Sequence, residues 1–166
     1  MTTYRERYLD LVDALRSGVI EHYGDALISL VFFGSVARGL FRPDSDIDLL
    51  IIAENLRRGR APRVLDFQQG VEGRLEETFR ELGREGIYPL LSPVIKTPDE
   101  VRLGSPLFLD MVAEAKIAFD RGEFFAKYLE DLEVKLRRMG ARKVRFKGGS
   151  YWLLKPDYQP GDIIEL

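Results

Sequence analysis

The stretch FFGSVARGLFRPDSDIDLLII, residues 32–52, places two carboxylates at the start of a hydrophobic run. Asp46 and Asp48 are one residue apart, and the run that contains them predicts a buried β-strand over residues 46–52. Side chains at positions i and i+2 of a strand point to the same face, so the two carboxylates should lie side by side. Such neighbouring negative charges repel each other, and either solvent at the strand end or a bound cation can relieve the repulsion.

The segment before the acidic pair predicts a second buried strand that ends in a turn of small residues. Residues 27–33, LISLVFF, are apolar and are followed by Gly34 and Ser35. A glycine lets the backbone approach a ligand closely, and a serine hydroxyl with free backbone N–H groups can hold phosphate oxygens. A turn of this kind beside two carboxylates predicts a site for a triphosphate bound to magnesium.

The order of these motifs resembles the nucleotidyltransferase superfamily that includes DNA polymerase beta, and within it the minimal nucleotidyltransferases of bacteria and archaea. The matching residues are Gly34-Ser35, Val36-Ala37-Arg38-Gly39 and Asp44 to Leu49. The predicted strand and helix order through about residue 120 is also similar to that family. The resemblance implies an α+β nucleotidyltransferase fold, in which helices back a small mixed sheet with the aspartate strand at its centre.

The resemblance also implies a reaction and a set of site residues. Asp46 and Asp48 would be the catalytic ligands of two Mg²⁺ ions, and Gly34 and Ser35 would bind phosphate. Arg38 would either assist nucleotide binding or be an ordinary surface arginine. The reaction implied is transfer of a nucleoside monophosphate from a nucleoside triphosphate, such as ATP, to a hydroxyl acceptor with release of pyrophosphate. One ion would hold the triphosphate and the other would lower the pKa of the acceptor hydroxyl.

The sequence departs from the family pattern at the third acidic ligand. Active members usually carry a third carboxylate on a neighbouring strand, whereas the predicted third strand, residues 87–95, contains no acid and has Ser92 near the expected place. Its two prolines, Pro89 and Pro93, predict a strand that either lies near the sheet edge or is broken by bulges. Asp99 and Glu100 follow, but they belong to a predicted helix start with a capping box, which favours structural roles for both.

Two hypotheses about function therefore stay open. The first is an active magnesium-dependent nucleotidyltransferase. The second is a catalytically weak or inactive nucleotide-binding protein of the antitoxin kind, which works with a second subunit such as a small helical nuclease. A carboxylate next to Asp46 and Asp48 in the fold would favour the enzyme, and a hydroxyl or apolar neighbour would favour the binding protein.

The remaining pattern predicts one domain over residues 1–166, with a core of about 1–120 and an extension of about 121–166. Predicted helices cover residues 4–22, one long segment from Pro62 through Leu82, short segments after Thr97 and after Ser105-Pro106, and residues 123–139 up to Gly140. A fourth strand is predicted at 116–119. Strands at 143–146 and 151–154 around Lys147-Gly148-Gly149-Ser150 predict a terminal hairpin. The stripe of Phe124, Tyr128, Leu132, Leu136 and Met139 should be the buried face of the last helix.

Two basic clusters could contact phosphates. Lys135 to Lys147 carries seven basic residues and no acid, so it could bind RNA or be a solvated surface paired with Glu130, Asp131 and Glu133. Tyr151 and Trp152 could stack a base there or pack the hairpin against the last helix. Arg57, Arg58, Arg60 and Arg63 could face phosphates or form an exposed loop.

Composition limits the chemistry further. The 166 residues are 45% hydrophobic and 31% charged with a net charge of −2, as is typical of a folded protein. The absence of cysteine excludes disulfides and Cys-ligated zinc, and a single histidine, His22, excludes a multi-histidine metal site. Any metal must therefore be held by oxygen atoms. No apolar run approaches the ~20 residues of a membrane span, so we expect a cytoplasmic protein without membrane contact.

Overall fold

The computed structural model describes residues 3–164, which form a four-stranded mixed sheet covered by helices on both faces and a separate two-stranded hairpin. The helices are α1 (Tyr4–Tyr23), α2 (Gly34–Ala37), α3 (Arg60–Gly70), α4 (Glu76–Arg84), α5 (Pro98–Arg102), α6 (Leu107–Glu114) and α7 (Phe124–Arg138). The strands are β1 (Leu27–Phe33), β2 (Ile47–Ala53), β3 (Leu91–Lys96), β4 (Lys116–Asp120), β5 (Arg142–Phe146) and β6 (Gly149–Leu153).

The order of strands in the main sheet is β3-β2-β1-β4. β1 is antiparallel to both β2 and β4, whereas β2 is parallel to β3. The predicted small mixed sheet is therefore confirmed, with the aspartate strand β2 in its interior and the proline-containing strand β3 at its edge. Pro93 is tolerated there because an edge strand needs hydrogen bonds on one side only.

Each face of the sheet has its own hydrophobic cluster. On one face, β1 and β2 pack against the buried stripe of α1, which consists of Tyr8, Leu11, Leu15 and Val19. On the other face, Val31, Leu50 and Ile52 pack against helices α5 to α7. The sequences of β1 and β2 are largely apolar without alternation because both faces of these strands are buried.

The prediction of one long helix from Pro62 to Leu82 is wrong. α3 ends at Gly70, a short 3₁₀ turn covers Glu72–Leu75, and α4 begins at Glu76. Gly70 lies directly against the imidazole of His22 at the end of α1, so a Cβ at this position would overlap the ring. The His22 Nε2 atom also lies 2.8 Å from Asp66 Oδ2. Glycine permits this close packing and is a poor helix residue, so the helix ends where α1 meets it.

Two local predictions in the second half of the chain are confirmed and one needs correction. The Thr97 hydroxyl accepts a hydrogen bond from the Glu100 N–H, and the Glu100 carboxylate accepts one from the Thr97 N–H, which forms the predicted capping box. The hairpin pairs β5 with β6 around Lys147 and Gly148. The predicted stripe on α7 omits Phe125, which is fully buried against Phe108 and Tyr128. Phe124, Tyr128 and Met139 of the stripe are partly buried against the same cluster.

Over residues 3–164, no helix combines the length and the apolar character that crossing a membrane requires.

Candidate functional site

The turn after β1 and the second aspartate are in direct contact. Phe33, the last residue of β1, pairs with Asp48 across the antiparallel ladder, and Gly34 follows it with φ of +70°. A Cβ on Gly34 would overlap the carboxylate of Asp48. Both the backbone angle and the space therefore require glycine. The fold thus brings together the two halves of the motif, which are separated by a loop in the sequence.

Asp48 carries a charge that its surroundings disfavour. Burial and the neighbouring charge of Asp46 raise the pKa of Asp48, while the Ser92 hydroxyl and the positive charge of Arg38 act in the opposite direction. Asp46 lies just before β2 and is exposed. Two interacting carboxylates, one of them half-buried with a raised pKa, suit a divalent cation, because a cation would offset both the repulsion and the desolvation.

Ser92 stands where the third acid would be expected. It is the register partner of Asp48 in the parallel ladder of β2 and β3, and β3 contains no carboxylate. In the part of the chain that the structure describes, no group of three or more His, Cys, Asp or Glu side chains is placed to hold a metal ion. A cation bound by Asp46 and Asp48 would therefore need oxygens of a polyphosphate and water to complete its coordination.

Arg38 lies at the same site. A cavity of about 190 Å³ is lined by Gly34, Asp48 and Arg38 together with residues of α6. The Arg38 guanidinium donates to the Glu114 carboxylate, with 2.8 Å between Nη1 and Oε2. Its side chain is 42% exposed, so it can be reached by a ligand. Phe33, Leu107 and Met111 supply the apolar part of the cavity wall.

The sequence analysis missed Asp110 and Glu114 at this cavity and did not connect Lys143 and Trp152 to it. Asp110 and Glu114 of α6 line it, and Lys143 and Trp152, which are paired in the hairpin, contact Asp110. Lys143 Nζ and Trp152 Nε1 each lie 2.8 Å from Asp110 Oδ1. Burial raises the pKa of Asp110, but the hydrogen bonds from Lys143 and Trp152 outweigh that effect and the pKa is lowered. The acids four residues apart on α6 were visible in the sequence, whereas nothing in it connected them to the hairpin.

The arginine cluster of residues 57–63 lies away from this site. β2 begins next to Asp46 and ends at Ala53, so the cluster follows the opposite end of the strand. Arg63 donates hydrogen bonds to the carbonyl oxygens of Arg57 and Ile95 and to the carboxylate of Glu100. The prediction that Glu100 is structural agrees with these bonds, and Asp99 accepts a hydrogen bond from Arg102 in the same turn. The cluster therefore lies at the opposite end of β2 from the two aspartates, and phosphate contact by its exposed arginines stays a prediction.

The C-terminal basic stretch is partly neutralised. Arg137 pairs with Glu133 as expected for a solvated helix surface, and Lys143 pairs with Asp110. Trp152 packs against the second hydrophobic cluster, while Tyr151 is 53% exposed beside Phe146. The hairpin is therefore anchored to the sheet domain through Trp152 and Lys143.

The fold and the site define an α+β protein with a glycine-serine turn against a pair of carboxylates on a central strand. The chain belongs to the nucleotidyltransferase domain family, whose model matches residues 12–147. It is 32% identical over 135 residues to "Putative protein adenylyltransferase MJ1305" of Methanocaldococcus jannaschii, which covers 78% of this chain and 84% of that protein. The resemblance and the enzyme class predicted from the motif are thereby confirmed.

Two solved structures have similar folds at low sequence identity. One is a toxin-antitoxin with AMP-PNP, with 16% identity, coverage of 76% of this chain and 90% of that chain, and a TM-score of 0.45. The other is described as a putative nucleotidyltransferase from Sulfolobus solfataricus, with 17% identity, coverage of 74% and 93%, and a TM-score of 0.42.

The family match has a bearing on the extension predicted after residue 120. It continues to residue 147 and so includes α7 and β5. The division into a core of about 1–120 and an extension of about 121–166 stays a prediction, as do magnesium binding, the roles of the site residues and the cytoplasmic location.

Proposed function

We propose that this protein transfers a nucleoside monophosphate, with ATP as the favoured donor, to a hydroxyl group on a protein and releases pyrophosphate in a magnesium-dependent reaction. The observation that carries the proposal is the contact between Gly34 and Asp48, because a glycine-serine turn that could bind phosphate lies directly against a carboxylate with a raised pKa. The choice of the adenylyl group and of a protein acceptor is supported by the name of the relative that is 32% identical.

The residues of this chain would act mainly by binding and orienting the triphosphate. Gly34 leaves room for the Asp48 carboxylate against the turn. The Ser35 hydroxyl would donate to a phosphate oxygen, and the Arg38 guanidinium would neutralise part of the phosphate charge. Asp46 and Asp48 would hold magnesium, which when bound supplies positive charge to the phosphate oxygens and lowers the pKa of the acceptor hydroxyl. The acceptor oxygen forms a bond to the α-phosphorus, the bond from that phosphorus to the bridging oxygen breaks, and pyrophosphate leaves. The acceptor proton passes to water.

The test is transfer of label from α-labelled ATP, with Mg²⁺, to candidate protein acceptors that include a small helical nuclease subunit. We expect transfer by the wild type, and a loss of at least a hundredfold in Asp48→Asn, because that change removes one of the two proposed magnesium ligands. Asp99→Asn is the matched control, since Asp99 is an exposed carboxylate that pairs with Arg102 and with no other residue in the described range 3–164. Transfer that survives Asp48→Asn unchanged would contradict the metal mechanism.

A second candidate function is favoured by one specific observation, the hydroxyl of Ser92 beside Asp48. Without a third carboxylate, activation of the acceptor is weaker, and the protein could act as a nucleotide-binding antitoxin that works with a small helical nuclease. RNA contact through Lys135 to Lys147 stays a prediction under both candidates.

The two candidate functions both require nucleotide binding, but only the transferase also transfers a nucleotide to an acceptor. Both predict that ATP with Mg²⁺ raises the melting temperature, because a ligand present at 100 times its dissociation constant stabilises the folded state by about 2.7 kcal/mol. Only the transferase predicts label on an acceptor. Binding without transfer, followed by gain of transfer in Ser92→Asp, would identify the wild type as the binding protein.

A further inference from the structure

A chain of ion pairs connects the nucleotide site to the C-terminal hairpin. Arg38 Nη1 lies 2.8 Å from Glu114 Oε2, and Lys143 Nζ lies 3.6 Å from the other oxygen of the same carboxylate. Lys143 is closer to Asp110, at 2.8 Å, and Trp152 donates a second hydrogen bond to that same Asp110 oxygen. Glu114 is thus placed between two cations, and Asp110 between two donors.

The charges around the cavity create a problem for an anionic ligand. Asp48, Asp110 and Glu114 line it, and among the lining residues only Arg38 is positive. The same guanidinium is engaged by Glu114. If Arg38 turned to a phosphate group, Glu114, whose side chain is only 25% exposed, would lose its closest partner. A partly buried carboxylate without a partner is costly, so this loss would oppose binding.

Lys143 is placed to prevent that loss. Its ammonium already lies within 4 Å of both carboxylates, and its side chain is 25% exposed and so restricted by its neighbours. The hydrogen bond from Trp152 leaves Asp110 with a partner when the ammonium moves toward Glu114. The pairing of Lys143 with Trp152 across β5 and β6 keeps both donors over α6.

We propose that Lys143 is a positioning residue of the nucleotide site, which neutralises Glu114 when Arg38 turns to the triphosphate and thereby makes Arg38 available for phosphate binding. The inference rests on the proposed function, because it requires that a triphosphate binds beside Gly34 and Asp48. It assigns the C-terminal hairpin to the site, although the hairpin carries no part of the sequence motif.

A double-mutant cycle tests this role by titration calorimetry of AMP-PNP with Mg²⁺. We expect Lys143→Met to weaken binding about tenfold, because Glu114 then competes with the phosphate for Arg38. Glu114→Gln alone should bind at least as tightly as the wild type, since Arg38 is released. The double variant should return to within about threefold of the wild type, and Lys143→Arg should retain the affinity.

Lys127→Met is the control for loss of a lysine, because Lys127 is exposed and, within residues 3–164, its ammonium contacts Glu123 at 3.5 Å and the Gly122 carbonyl at 3.2 Å, both in the turn before α7. The melting temperature of each variant without nucleotide reports whether it is folded. If Lys143→Met does not fold, weaker binding by Glu114→Gln than by the wild type overturns the inference, and equal or tighter binding supports it. Wild-type affinity in Lys143→Met, or a double variant as weak as Lys143→Met, overturns the inference and leaves the proposed function intact. Absence of AMP-PNP binding by the wild type overturns both.

Discussion

At the scale of single residues, Gly34 and Gly39 show two different reasons why a position needs glycine. One is the backbone angle, and the other is the space around the Cβ position. Their φ angles are +70° and +69°, so any other residue is strained at either position. At Gly34 a Cβ would also overlap the Asp48 carboxylate, whereas at Gly39 no atom lies within 4 Å of the Cβ position. Both positions therefore need glycine because of the backbone angle, and Gly34 also needs it because of the neighbouring Asp48 side chain.

This difference predicts distinct effects of alanine at the two positions. Gly34→Ala and Gly39→Ala should each lose about 1–2 kcal/mol of stability from the strained backbone, as measured by urea unfolding. Only Gly34→Ala should weaken AMP-PNP binding by tenfold or more, because it displaces Asp48. Equal affinities of the two variants would contradict the assignment of Gly34 to the site.

The raised pKa of Asp48 predicts a pH dependence of stability. A carboxylate whose pKa is higher in the folded than in the unfolded state binds protons more tightly when folded, so stability falls as the pH rises between the two pKa values. Asp48→Asn should therefore melt at a higher temperature than the wild type at neutral pH without metal. The difference should disappear below the ordinary pKa of an aspartate, near 3.8.

Added Mg²⁺ provides the control for this prediction, because a bound cation offsets the same unfavourable charge. With Mg²⁺ and ATP, the wild type should gain melting temperature and the advantage of Asp48→Asn should shrink or reverse. A wild type that is more stable than Asp48→Asn at neutral pH without metal would show that Asp48 is not destabilised by its surroundings.

At the scale of elements, Asp120 at the end of β4 connects the sheet to α7. Its carboxylate accepts hydrogen bonds from the N–H groups of Phe125 and Ala126 in the first turn of α7 and from the buried Ser29 hydroxyl on β1. The carboxylate thus caps the helix that carries the buried Phe125 and satisfies the buried polar side chain of the sheet. The nucleotidyltransferase motif does not include Asp120, so it did not predict this connection between β4 and α7.

Asp120→Ala should therefore destabilise the protein by about 2–4 kcal/mol in urea unfolding, as the sum of a lost cap and an unpaired buried hydroxyl. Ser29→Ala should cost less, because it removes only one of the bonds. In the double variant the loss should be smaller than the sum of the two single losses, since no hydroxyl is left unpaired. Additive losses would mean that the two side chains do not interact.

At the scale of the whole molecule, β2 sets the distance between the acidic pair and the arginine cluster, because its seven residues at about 3.3 Å each span about 23 Å. Asp46 and Asp48 lie at its start, and the exposed Arg57, Arg58 and Arg60 follow its end. The interior position of β2 thus places the acidic pair and the arginine cluster at opposite ends of the sheet.

Replacing Arg57, Arg58 and Arg60 together by glutamine should leave the affinity for AMP-PNP within about twofold of the wild type, because exposed charges beyond a Debye length of about 8 Å are largely screened at physiological salt. Arg38→Gln, which changes a charge at the cavity, should weaken binding by tenfold or more in the same titration. A comparable loss in the triple variant would place the arginine cluster at the nucleotide site.

The sequence determined the family, the two central strands, the turn at Gly34 and the pair Asp46 and Asp48, because these features depend on short-range periodicity and on fixed spacing. It also predicted the capping box at Thr97 and the hairpin near Gly148, which are local. It did not predict the break at Gly70, since that break depends on the approach of His22 from a distant helix.

The residues that surround the acidic pair depend on tertiary contacts. Strand register placed Ser92 opposite Asp48, and helix packing brought Asp110 and Glu114 to the cavity together with Lys143 from the hairpin. These residues are up to about a hundred positions apart, so no local pattern can relate them. The physical reason is that charge pairing and burial act between neighbours in space, whereas a sequence motif records only neighbours along the chain.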